Sequence, residues 1–325
     1  MKAIIHTKYG SPNVLQLKEI EKPQPKENEV LIKIHASSVN RTDCGFRTGK
    51  PYVVRFFSGL FKPKRQILGC ELSGTIEAIG KNVSKFNIGD EVFGMSGDNY
   101  FSTNAEYICL PEDKHITQKP TNITHEQAAS VSEGAWYAMS FINLIDFSTN
   151  PKILINGTTG AIGSATLQLC KHFGAEITAI CNTKNIELIQ SLGADHIIDY
   201  QKEDFTKVLN EEFDYIIDAV GKSSFAKCKH LIKKGGWFSA TELGPNWSNI
   251  YLSIWTAVFG GVGGKKVFFP IPGDPKEAVL LIKDLIEQGK YQPIVDRHYS
   301  LEQIVEATKY VEMGEKTGAV VIKVV

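Results

Sequence analysis

The chain has 325 residues, 42% of them hydrophobic and 22% charged, and its 36 Lys and Arg balance 36 Asp and Glu. That length suits two domains with separate cores, and the composition excludes a disordered, collagen-like or coiled-coil chain. A formal net charge of zero gives no global field for nucleic acid or an anionic membrane, and six cysteines without a C-x-x-C pair read as reduced thiols in a cytoplasmic compartment.

The first ten residues contain no apolar core of signal-peptide length. Alternation over Val30–Ala36 and again over Leu72–Gly80, with turn residues between, predicts short strands in a small barrel or sandwich. Thr124 and Gln127 form a capping-box pattern for a helix beginning at His125. From there strands and helices alternate: strands at Lys152–Asn156, Glu176–Cys181, His196–Tyr200, Phe213–Asp218 and Gly236–Ala240, with helices at Ala161–Phe173 and Asn185–Leu192. Strands separated by helices of about ten residues mean βαβ units and a parallel sheet. The uncharged stretch Pro245–Gly264 is broken by Gly, Asn and Ser, so it reads as buried core or interface and not as a membrane span. Helices at Pro275–Gln288 and Leu301–Met313, with strands at Ile294–Asp296 and Ala319–Val325, fit a return to the first domain.

The strongest chemical signal is Ile153-Leu154-Ile155-Asn156-Gly157-Thr158-Thr159-Gly160-Ala161-Ile162-Gly163. A buried strand enters a glycine-rich turn that opens a helix. Gly160 lets backbone approach a pyrophosphate, Gly163 lets helix pack on strand, and the helix N-terminus offers free N–H groups. Thr158 stands where the usual fingerprint has its first glycine. The next strand ends Cys181-Asn182-Thr183-Lys184, without the carboxylate that an NAD enzyme uses on the ribose hydroxyls. A 2′-phosphate is repelled by such a carboxylate and attracted by Lys184, so NADP(H) is favoured over NAD(H).

With these residues in view, the chain resembles the zinc-free medium-chain dehydrogenases/reductases of quinone-oxidoreductase type, end to end. The likeness is carried by S-S-V-N-R-T-D, I-L-G-C-E-L-S-G-T-I-E-A-I-G, F-N-I-G-D-E-V-F-G, N-G-T-T-G-A-I-G, L-G-A-D-H-I-I-D-Y and G-E-K-T-G-A-V-V-I-K-V. It implies an α/β fold: a Rossmann doubly wound parallel sheet (123–272) that binds NADP(H), inserted in a GroES-like β-barrel catalytic domain (1–122 and 273–325). Asn40 and Cys70 replace a Cys and a His that ligate zinc in metal-dependent relatives, and no four-cysteine lobe lies between Val92 and Tyr107, so no metal is expected. Without a Lewis acid, the acceptor must be activated already by conjugation, as a quinone or an α,β-unsaturated carbonyl is.

The resemblance also assigns residues. Asn40 matches an asparagine near the nicotinamide. Asp43 and Tyr52 complete the catalytic candidates, Asp43 alternatively bracing the loop and Tyr52 alternatively lining a pocket. Thr158, Thr159, Gly160, Ala161, Ile162 and Gly163 would hold the pyrophosphate. Asn182, Thr183, Lys184 and Tyr200 would hold the adenosine end. Val220, the backbone of Phe268 and Phe269, and Lys316 are the remaining coenzyme candidates. Gly134 stands where many relatives have Thr. A zinc-free NAD(P)-dependent alcohol dehydrogenase is the first alternative, and a nucleotide-binding regulator or RNA-binding protein on the same scaffold is the second. A homodimer is expected, because Lys265–Phe269 has the look of an edge strand. Between Cys44 and Cys70 stand Arg47, Lys50, Arg55, Lys62, Lys64 and Arg65, interleaved with aromatics and with no Asp or Glu. That segment reads as aromatics packed on the barrel with cations in water, as a lid, or as a membrane- or nucleic-acid-contacting surface.

Overall fold

The computed structural model describes residues 1–96 and 101–324. Two compact units form: Met1–Glu133 with Pro275–Gly289 and Pro293–Val325, and Gly134–Asp274 with Lys290–Gln292. The first unit therefore reaches past position 122. Thr124 caps the helix His125–Ala128 as its sequence foretells, and the Ala129 that follows packs with Ala36 and Val321 of the first unit.

In the first unit β1 (Lys2–Ile5) pairs antiparallel with β2 (Gln16–Glu19). The main sheet is built on β3 (Glu29–Val39), which pairs antiparallel with β4 (Glu71–Ile79) and β6 (Tyr107–Pro111). Strand β5 (Glu91–Met95) extends it beyond β4, and β7 (Ile116–Gln118) lies beyond β5. Val30, Ile32 and Ile34 bury one side of β3 against Leu72, Ile76 and Val92, the two-residue period expected of a half-buried strand.

The second unit holds β8 (Lys152–Asn156), β9 (Glu176–Cys181), β10 (His196–Asp199), β11 (Phe213–Asp218), β12 (Ile232–Ala240) and β13 (Lys266–Phe268). All pairs are parallel, in the order β10-β9-β8-β11-β12-β13. Ile153, Leu154 and Ile155 are all fully buried, which is why β8 reads as a continuous apolar run. Back in the first unit, β14 (Val295–Ser300) and β15 (Ala319–Lys323) complete the main sheet, β15 lying against β3.

Two segments depart from their sequence reading. The Pro245–Gly264 stretch, read as buried core or interface, packs Leu252 on the core but leaves most of its large apolar side chains outside it. It folds as a helix, Ser248–Phe259, whose Tyr251, Ile254, Trp255, Val258 and Phe259 are exposed along one helical stripe. The aromatics after Pro51 do not pack on the barrel either: Phe56, Phe57 and Phe61 stand in solvent, and only Phe46 packs inward, on Phe101. No helix among the described residues is long and apolar enough to cross a membrane.

Candidate active site

In the second unit, β8 ends at Asn156 and the chain turns through Gly157, whose φ of +85° favours glycine. The Gly157 and Thr158 N–H groups both donate to the Ile180 carbonyl, as does the Thr158 hydroxyl (3.1 Å). Thr158 is thus buried and clamps the turn to β9. Gly160 caps the helix Ala161–His172 in ordinary extended backbone, φ −76° and ψ 168°. The first helical bond runs from Ser164 N–H to the Gly160 carbonyl at 2.9 Å. The N–H groups of Ala161, Ile162 and Gly163 find no acceptor among the described residues, and Thr159 stands half-buried beside them. Unpaired donors at the positive end of a helix form an anion site.

The two glycines do different jobs. A Cβ on Gly163 would lie 2.1 Å from the Gly157 carbonyl oxygen, whereas one on Gly160 meets nothing closer than 3.9 Å. Gly163 is needed by the protein's own packing. Gly160 leaves open space beside the free N–H groups.

At the far end of β9, Lys184 is exposed and makes no ion pair among the described residues. Asn182 is tied to Asn185 (2.6 Å), and Tyr200, more than half exposed, donates its N–H to the Cys181 carbonyl (3.0 Å). A carboxylate that the local sequence does not reveal also stands here. The parallel register sets Asp199 opposite Cys181. Asp199 accepts from the Thr183 hydroxyl and the Gln201 N–H, and it pairs with Lys202. The Thr183 bond leads the causes that hold Asp199 below the usual carboxylate range, so this carboxylate is spent within the loop. Val220 is held after β11 by Asp218 and covers Gly157. The Phe268 carbonyl accepts from Ser239 (2.8 Å), and the Phe269 N–H donates to Ser253 (3.2 Å). A Cβ on Gly134 would lie 2.7 Å from the Ala161 carbonyl oxygen, so a threonine there would push the cradle helix aside.

The first unit holds a buried polar cluster. Asn40 caps the helix Arg41–Thr48 in a capping box with Asp43. Asp43 accepts N–H groups of Asn40 (2.8 Å) and Gly69 (2.9 Å), which ties two loops together. The Asn40 amide donates to Ser38 (2.9 Å) and Glu71 (3.0 Å). Glu71 also accepts from the Ser38 hydroxyl (2.6 Å) and the Glu133 N–H (2.9 Å). Burial pushes Asp43 up to about 6 against its two N–H donors, and raises Glu71 too. Glu133 rises furthest, first from burial and then from the charges of Glu71 and Asp43. Lys316 belongs to this cluster: burial lowers its pKa while Glu133 and Glu71 pull it back, and its ammonium donates to the Gly318 carbonyl. The result is an asparagine fixed in one orientation by a network of buried carboxyls.

Asn40, Asp43 and Lys316 are therefore brought together, joined by Glu71 and Glu133, which sequence reasoning passed over as site residues. Tyr52 is not among them: it is two-thirds exposed (66%), its ring 5.0 Å from the Arg55 guanidinium. Where zinc-dependent relatives place a ligating Cys and His, Asn40 is held as described and the Cys70 thiol turns toward Asp43 at 3.8 Å. Burial keeps that thiol well above its ordinary range, and Cys44 at about 12. Neither is poised as a thiolate.

Residues 26–121 match the alcohol dehydrogenase GroES-like domain, and residues 192–322 match a domain described as zinc-binding dehydrogenase. The 2-methylene-furan-3-one reductase of Solanum lycopersicum is 33% identical over 99% of this chain and 79% of its own length. The chloroplastic NADPH-dependent alkenal/one oxidoreductase of Arabidopsis thaliana is 31% identical over the same shares. The quinone oxidoreductase of Coxiella burnetii, at 27% identity, superposes with a TM-score of 0.87 over 100% of this chain and 99% of its own. With the parallel-sheet cradle and the GroES-like unit both in place, the chain belongs to the medium-chain dehydrogenases/reductases, in their zinc-free quinone oxidoreductase-like group.

Proposed function

We propose that the protein is a zinc-independent reductase that moves hydride from NADPH to a quinone or an α,β-unsaturated carbonyl. The observation that carries this reading is the row of unpaired N–H groups at Ala161, Ile162 and Gly163 beside the open face of Gly160. Bound NADPH supplies the hydride. The chain's residues hold and orient: the cradle takes the pyrophosphate; Asn182, Thr183, Lys184 and Tyr200 take the adenosine end. Within the first unit, Asn40, held by Ser38 and Glu71, is the catalytic candidate, with Asp43 as its brace and Lys316 in the same polar cluster. The conjugated acceptor receives hydride at one carbon, carries the negative charge as an enolate or its quinol counterpart, and takes a proton from water or a side chain. The second unit serves as the coenzyme domain and the first as the catalytic domain.

Steady-state assays test the reading. Enones or quinones should be reduced with NADPH, while secondary alcohols should be poor substrates. Preference for alcohols would favour the alcohol dehydrogenase alternative, and no turnover at all would favour a regulator. The coenzyme preference has its own test. Lys184→Ala should weaken NADPH binding roughly tenfold, the scale of one lost charge-assisted contact, and leave NADH binding unchanged. Equal affinity of the parent protein for NADPH and NADH would remove the assignment.

A homodimer is part of the same proposal. Strand β13 is the edge of the parallel sheet, and the helix Ser248–Phe259 packs beside it with its apolar stripe left exposed. An unpaired edge next to an apolar helix face suits a two-fold mate. Sedimentation at micromolar concentration should return twice the chain mass; a monomer would contradict it. The cytoplasm suits the six cysteines, all free.

A further inference from the structure

The segment Lys50–Arg65 is not used by the reaction proposed above. Its exposed residues include Phe56 (71%), Phe57 (77%), Leu60 (54%) and Phe61 (94%). Single exposed apolar residues are normal, but this many neighbours in a few residues are not. The surrounding charge has one sign: no Asp or Glu stands between Cys44 and Cys70. Two of the cations in that stretch serve it from within. Arg47 is buried and paired with Glu312, and Arg55 lies over Tyr9 and donates to the Gly49 carbonyl. Lys50, Lys62, Lys64 and Arg65 are exposed and make no ion pair among the described residues.

The segment is also anchored at its root. The Tyr9 hydroxyl bonds Ser58 (2.7 Å) and the Gly59 carbonyl, the Lys64 N–H donates to the Ser58 carbonyl (2.8 Å), and Ser58 and Pro63 are buried. The aromatics are thus held out in water on a braced turn. We propose that Lys50–Arg65 is a peripheral docking surface for an anionic lipid bilayer, with Phe56, Phe57 and Phe61 entering the headgroup–acyl boundary and Lys62, Lys64 and Arg65 meeting lipid phosphates. Aromatic and aliphatic side chains rimmed by unopposed cations are complementary to that interface. A single-stranded nucleic acid could stack on the rings but finds no partner for Leu60. The surface does not depend on the identity of the reduced substrate.

Co-sedimentation of the NADPH-loaded full chain with lipid vesicles tests this. Phosphatidylcholine vesicles containing phosphatidylserine should pellet the protein at low salt, and pure phosphatidylcholine should pellet it roughly tenfold less. Phe56→Ser/Phe57→Ser/Phe61→Ser should lose at least tenfold in partitioning while keeping NADPH-dependent turnover, which reports that it is folded. Should that variant misfold, Lys62→Glu/Lys64→Glu provides the same test through charge. The proposal is overturned if the parent protein stays in solution with anionic vesicles, if both variants partition as it does, or if the segment retains RNA and no vesicles.

Discussion

Gly160→Glu should leave the protein folded and raise the dissociation constant for NADPH at least a hundredfold. The backbone at 160 has a φ of −76°, open to any residue, and a Cβ there would meet only the Gly157 carbonyl oxygen, at an ordinary contact distance of 3.9 Å. A carboxylate at a helix N-terminus even gains about 0.3–1 kcal/mol from the helix dipole. The fold has little reason to reject it. The coenzyme does: the carboxylate would occupy the space beside Ala161, Ile162 and Gly163 and present like charge to a diphosphate. A loss of about 3 kcal/mol in binding corresponds to that hundredfold. Calorimetric titration measures the affinity, and an unchanged melting temperature shows that the loss is local. Undiminished affinity would mean that the bend does not hold the coenzyme.

Gly163→Val, three residues on, should do the opposite. Its Cβ would sit 2.1 Å from the Gly157 carbonyl oxygen, 2.8 Å from the Gly157 carbonyl carbon and 3.0 Å from the Thr158 Cα. All three are backbone atoms of the turn that Thr158 clamps to Ile180, so none can rotate away. The helix Ala161–His172 must lift from β8, opening the layer over Ile153, Leu154 and Ile155. Overpacking against backbone lies at the severe end of core substitutions, about 4 kcal/mol. For a unit of this size the melting temperature should drop by roughly 10 °C, as scanning calorimetry would record. A variant as stable as its parent would show that helix and strand are not packed so closely. The pair separates a glycine kept for the fold from one kept for a ligand.

Much of this was legible in the residues themselves. The run Ile153-Leu154-Ile155 and the glycines after it announce strand, turn and helix because each is a local pattern. Thr124 and Gln127 likewise mark a helix start that the structure keeps. What was not legible depends on long-range pairing. Asp199 reaches the end of β9 only through parallel register with Cys181, and the local rule that no carboxylate stands there holds for β9 alone. Glu71 and Glu133 lie far from each other and from Lys316 in sequence, and each reads locally as a surface charge. Only the closed sheet and the helix that begins at Ser132 bury the two carboxyls together. The exposed aromatics after Pro51 and the outward stripe of Ser248–Phe259 violate the rule that apolar residues pack inward. Neither surface is needed for the core, and each is a place where a partner outside the chain is proposed.

The most direct test follows the hydride. With deuterium at C4 of NADPH, the label should appear on the carbon β to the carbonyl of a test enone, and chelator-treated protein should react at an unchanged rate. Label lost to water, or turnover that appears only after zinc is added, would contradict metal-free hydride delivery by this chain.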